Sequence, residues 1–123
     1  MRTLISTGLA IAALLIVASP AVAAERPGVL KTGKCSAATS WKLKAKPEDR
    51  GIEAEFEVDQ NRVGRRWSVV LRRNGSVVFR GTRRTTAPSG SFEVRRILPG
   101  RGRIVATARA LSTGETCRAS LSI

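Results

Sequence analysis

From residue 42 to residue 59 the chain reads KLKAKPEDRGIEAEFEVD, and almost every second side chain in it is charged. A period of two is the signature of a half-buried β-strand and is incompatible with an amphipathic helix. Lys42, Lys44 and Lys46 alternate with Leu43 and Ala45, with Trp41 in phase. After a turn through Pro47 to Gly51, Ile52, Ala54, Phe56 and Val58 alternate with Glu53, Glu55, Glu57 and Asp59. Folding the segment back antiparallel sets Lys46 against Glu53, Lys44 against Glu55 and Lys42 against Glu57. The same register brings Ala45 to Ala54, Leu43 to Phe56 and Trp41 to Val58 on the opposite face. A slip by one residue would bury the charges, so they specify the pairing as well as solubilising it. The acids are expected to be structural partners of the lysines.

Alternation continues beyond this hairpin. Trp67, Val69 and Leu71 share a face of a strand from Arg66 to Arg73. Asn74-Gly75 follows, the strongest short hairpin signal, since a type I′ turn needs positive φ at both positions. A fourth strand is expected from Ser76 to about Gly81 and a fifth from Ser91 to Ile97, anchored by Phe92 and Val94. A sixth spans Arg103 to Ala110, with Ile104, Ala106 and Ala108 in phase. The last runs from Glu115 to Ile123, with Cys117, Ala119, Leu121 and Ile123 facing in. Seven short strands separated by Gly, Pro and Asn turns predict an all-β sandwich over residues 35–123. Residues 24–34 hold Pro27 and two glycines without periodicity and read as a flexible N-terminal arm.

The first 23 residues have a different character. Arg2, an apolar run from Leu4 to Val17, the Ser19-Pro20 break and Ala21-Val22-Ala23 form a signal-peptide pattern with an A-x-A cleavage site. The expectation is a helical leader that meets the membrane only before cleavage, and a secreted or envelope-associated mature chain. The rival reading is an uncleaved anchor. Cleavage after Ala23 would leave 21 basic and 9 acidic side chains, a charge of +12. Cys35 and Cys117 are the only cysteines. In an exported chain they are expected to form one disulfide enclosing nearly the whole domain.

The segments C35-SAATSWKLKAK, G64-x-x-W67, R73-NG, P88-SGSFEVRR and T113-GETCRASLSI together resemble a group of small secreted actinobacterial proteins. These consist of a signal peptide and one immunoglobulin-like or fibronectin type III-like domain. The resemblance implies an antiparallel sandwich of about seven strands and an exported location. It implies no catalytic residues. In such folds the first and last strands can lie side by side and parallel, so a Cys35–Cys117 bridge would staple them at one end.

The composition argues against catalysis. There is no histidine and no tyrosine, so the commonest general base is missing. No catalytic residue, metal ligand or cofactor site is assigned. Glu48-Asp49 is a weak echo of a calcium loop, opposed by the neighbouring lysines. The arginines carry more information. Thirteen fall between Gln60 and Ala110, against the single acid Glu93 and no lysine. Guanidinium forks suit phosphate and carboxylate, and charge of one sign attracts polyanions. Arg62, Arg65, Arg66, Arg72, Arg73, Arg80, Arg83, Arg84, Arg95 and Arg96 are therefore candidates for binding an anionic partner. Cell-wall phosphate, acidic glycan and extracellular DNA are the partners considered. The bland reading is a solvated basic surface.

An alternative site follows from the Asn74-Gly75 turn. Its simplest register sets Arg72 against Val77, Leu71 against Val78 and Val70 against Phe79. Val70, Val77 and Phe79 would then form an outward apolar strip, suited to a protein partner or a homodimer.

Overall fold

The structure, a computed structural model, describes residues 3–19 and 27–123. Among the described residues there are eight strands: β1 (Val29–Lys34), β2 (Ser40–Glu48), β3 (Gly51–Asp59), β4 (Arg66–Arg73), β5 (Ser76–Arg84), β6 (Ser91–Leu98), β7 (Arg103–Ala110) and β8 (Thr116–Ser122). They form two four-stranded antiparallel sheets, ordered β1-β2-β3-β6 and β5-β4-β7-β8. The inner faces meet in one core that includes Leu43, Phe56, Val58, Trp67, Val69, Leu71, Val94, Leu98 and Ile104. Alternating burial along β3, β4, β7 and β8 produces that core. The buried Trp67 satisfies its indole N–H on Gln60 Oε1 at 3.0 Å and lies 6.4 Å from Phe92, centroid to centroid.

The β2–β3 hairpin has the register expected from its charges. Lys46 pairs with Glu53, Lys44 with Glu55 and Lys42 with Glu57, while Leu43 faces Phe56 and Trp41 faces Val58.

Three expectations change. The segment read as a flexible arm contains β1, paired to the edge of β2. It escaped notice because the strand is mostly exposed, with only Val29 packed on the core, so no apolar period marks it. Gly33 has a definite role there: a Cβ would stand 2.5 Å from the Trp41 ring, which lies against it. Second, residues 3–19 are exposed and carry no helix. An isolated segment of this length has nothing to pack on, and short helices are marginal in water without packing. The expected cleavage site at Ala21–Ala23 lies outside the described residues. No helix among the described residues is long and apolar enough to cross a membrane.

The third change is local. The β4–β5 ladder keeps Arg72 opposite Val77, then shifts at Leu71/Arg72, so that Leu71 faces Phe79 and Val70 faces Arg80. Val78 is the extra residue of this bulge. One added residue reverses the facing of everything beyond it.

Cys35 and Cys117 form the disulfide, with Cα atoms 4.2 Å apart. Cys35 lies in the β1–β2 connection and Cys117 in β8, so the bridge ties one sheet to the other. Hydrogen bonds reinforce the junction. Ser36 N donates to Thr116 O at 2.8 Å, and Thr116 N donates to Ser36 Oγ at 2.9 Å. The Glu115 carboxylate accepts from Ala37 N, Thr39 N and Thr39 Oγ1 at 3.1, 3.1 and 2.7 Å.

Candidate polyanion interface

The two sheets present different electrostatic characters to solvent: one mixes both signs and the other carries only positive charge. On the outer face of β1-β2-β3-β6, the lysine and glutamate columns lie beside Glu93 and Arg95 of β6. Arg95 Nη2 contacts Glu55 Oε1 at 2.9 Å and Glu93 Oε1 at 3.1 Å, and its Nε lies 3.9 Å from Glu53 Oε1. Among the described residues these are the ion pairs, so Glu53 and Glu55 are claimed by Arg95 and not by the lysines opposite them, and Glu57 pairs with neither. That corrects the expected pairing. The planar fork of arginine reaches several carboxylates at once, which a lysine ammonium does less well. It also removes Arg95 from the arginines free to bind a partner.

The carboxylates there are coupled. Hydrogen bonds from Glu48 and Glu55 hold Glu53 below the usual carboxylate range, with Lys46 and Arg95 assisting. The hydrogen-bonding carboxylate of Glu53 raises Glu48. Burial, then the hydrogen bond to Glu53, raises Glu55. The Glu53 side chain is only 9% exposed, so this face is not the fully solvated ladder suggested by alternation.

The outer face of β5-β4-β7-β8 is different. The inward phase is occupied by Trp67, Val69 and Leu71 on β4, Ile104, Ala106 and Ala108 on β7, and Cys117, Ala119 and Leu121 on β8. The outward phase therefore carries Arg66 and Arg72 on β4, Arg103 and Arg109 on β7, and Arg118 on β8. The register adds Arg80 and Arg84 of β5, opposite Val70 and Arg66. These seven arginines share the face with serine, threonine and valine, and no acidic residue occupies an outward position on the four strands. Arg66 and Arg84 stand directly opposite each other, a like-charge pairing that costs stability unless an anion screens it. A shallow groove of about 310 Å³ on this face is lined by Ser68, Val70, Thr107, Arg109, Thr116 and Arg118, among others.

Of the arginines singled out from sequence, Arg66, Arg72, Arg80 and Arg84 come together here. Arg62 and Arg65 belong to the β3–β4 connection, where Arg65 N and Arg62 O are both tied to the buried Thr85 hydroxyl. Arg73 donates from Nε to Gly100 O at 2.9 Å. Arg83 and Arg96 both lie over the Phe79 ring, 4.8 and 4.4 Å from its centroid. Arg103, Arg109 and Arg118 complete the face and were not singled out. Arg118 falls beyond the arginine-rich window, yet the alternation of Cys117, Ala119 and Leu121 already fixes it as outward.

The apolar strip is not assembled. Val70 and Val77 face outward, Val77 being 46% exposed. The bulge turns Phe79 to the inner side with Leu71, where it packs against the core under the two guanidinium groups. No group of three or more metal-ligating side chains occurs among the described residues. No family model, curated protein or solved structure matches the chain.

Proposed function

We propose that this chain is an exported, non-catalytic binding module that holds an anionic polymer of the cell envelope or its surroundings. The contact surface is the outer face of β5-β4-β7-β8. The observation that carries the reading is the segregation of charge: seven outward arginines without an acid on one sheet, and the paired acids on the other. The bare like-charge pair of Arg66 and Arg84 supports it, because a partner's anion would relieve it. Export is supported by the Cys35–Cys117 disulfide, a bond that persists in oxidising compartments. An immunoglobulin-like assignment is supported by strand order. β2-β3-β6 facing β5-β4-β7-β8 is the arrangement of a seven-stranded fibronectin type III-like sandwich, with β1 added at an edge.

Binding to an anionic polymer is expected to fall steeply with salt. If four to seven arginines each displace a counterion, the slope of log K against log salt should be about −3 to −5 for a single-stranded chain. Titration at several salt concentrations measures it. A slope near zero, or no binding at low salt, would reject the reading.

A further inference from the structure

The seven arginines are not scattered over their face, and their register defines a path. Arg84 of β5 lies opposite Arg66 of β4. On β7 the next arginine is Arg109, two residues further along, opposite Ser68. On β8 it is Arg118, two further again, opposite Thr107. These four form a diagonal stripe, with neighbours about 5 Å apart when directly opposed and about 7–8 Å apart on the diagonal. A second stripe runs parallel to it. Arg80 lies opposite Val70, Arg72 is two residues further along β4, and Arg103 is two residues beyond Val105, the β7 partner of Arg72.

Between the stripes lies a band without charge: Thr82 on β5, Ser68 and Val70 on β4, Thr107 and Val105 on β7, and Ser120 on β8. The four residues on the central strands β4 and β7 are half-buried, whereas six of the seven arginines are exposed. The floor thus lies lower than its rims, and the groove at Val70, Thr107 and Arg118 is part of it. Along the strand direction the rims stand four to six residues apart, about 13–20 Å. Long guanidinium arms can close that gap on one chain.

We infer that this band is a track for one extended phosphodiester polymer with a polyol backbone, laid diagonally across the sheet. The inference rests on the polyanion reading of the same face. A phosphodiester offers one charge and two unesterified oxygens, the match for one arginine fork. Rims on both sides let phosphates be taken from left and right along the chain. The hydroxyl and valine floor suits alternating CHOH and CH2 groups. It offers no aromatic ring on which a base could stack: Phe56, Trp67 and Phe92 are buried and Phe79 faces inward.

The test places one carboxylate in the track or beside it. Thr82→Glu and Thr107→Glu lie between the stripes. Leu111→Glu lies outside them, in line with Arg66, at a site already 58% exposed. Leu30→Glu lies on the other sheet. All four change net charge equally, and Thr82 is fully outward on an edge strand, so its variant should fold. Affinities of the disulfide-bonded protein would be measured for poly(glycerol phosphate) and for an oligothymidylate at low salt. The expected result is at least a tenfold loss for Thr82→Glu and Thr107→Glu, under threefold for Leu111→Glu, and none for Leu30→Glu. Equal losses for Leu111→Glu and the two track variants would overturn the track and leave the basic face standing. An equal loss for Leu30→Glu, or no binding by the unaltered protein, would reject both. Tighter binding of the oligothymidylate would overturn the polyol assignment.

Discussion

Glu53 lies almost out of solvent, between a lysine column and the guanidinium of Arg95. Its carboxyl is held below the usual range by hydrogen bonds from Glu48 and Glu55. A group whose pKa is lowered by folding stabilises the fold above its unfolded value, and that contribution is lost as pH falls through the folded value. Glu53→Gln should therefore lower the melting temperature at neutral pH, with the deficit shrinking as pH drops below about 4.5. Glu55 has the opposite sign, because its pKa is raised by burial. Its contribution is present in acid and fades as pH rises through the carboxylate range. Melting curves of both variants from pH 3 to pH 7 would check the two signs. Phe79 gives a second prediction at this scale. Packed on the core under Arg83 and Arg96, it should cost about 2–3 kcal/mol when cut to alanine. Phe79→Asp should unfold a larger fraction still, whereas an outward Phe79 would tolerate the change; denaturant titration distinguishes the two. The core residues were legible because alternation is visible wherever one face is dry. Phe79 was not, because the extra residue Val78 carries no glycine, proline or charge to announce it.

Strands and turns answer to different parts of the sequence. The β2–β3 register could be read to the residue, since four acids and three lysines penalise every slip. β1 could not, since an exposed edge strand has no dry face to write a period into its sequence. Turn glycines separate into two kinds. Gly75 sits at φ 84 with open space around it, so a side chain meets only backbone strain. Gly75→Ala should cost about 1 kcal/mol. Gly90 sits at φ 70, and a Cβ there would stand 2.3 Å from Arg62 N. Gly90→Ala must move backbone in the β3–β4 connection and should cost more than about 2 kcal/mol. Comparing the two denaturation midpoints tests whether the β3–β4 and β5–β6 connections are held as one unit by Thr85 and Gly90.

At the scale of the whole molecule, an excess of positive charge is sorted by sheet. Composition revealed the excess, and strand alternation sufficed to place Arg66, Arg72, Arg103, Arg109 and Arg118 on outward phases. What the sequence withheld was which strands are neighbours. The order β5-β4-β7-β8 gathers on one face arginines up to 52 positions apart in the chain, from Arg66 to Arg118. No local pattern encodes that. The disulfide acts at the same scale. Closing a loop with a sequence separation of 82 residues is worth about 4–5 kcal/mol by chain entropy. The Cys35→Ser/Cys117→Ser double variant should melt more than about 10 °C lower, as calorimetry would show. The same bond also sets the mechanics. Tension applied to the chain on either side of Cys35 and Cys117 passes through the sulfur atoms and bypasses everything between them. The loop between the two cysteines is then inextensible, with only β1 and the end of β8, among the strands, outside it, while reduction releases up to about 30 nm of hidden length. If the proposed polymer binding holds, thiol–disulfide state would control the reach of the bound chain.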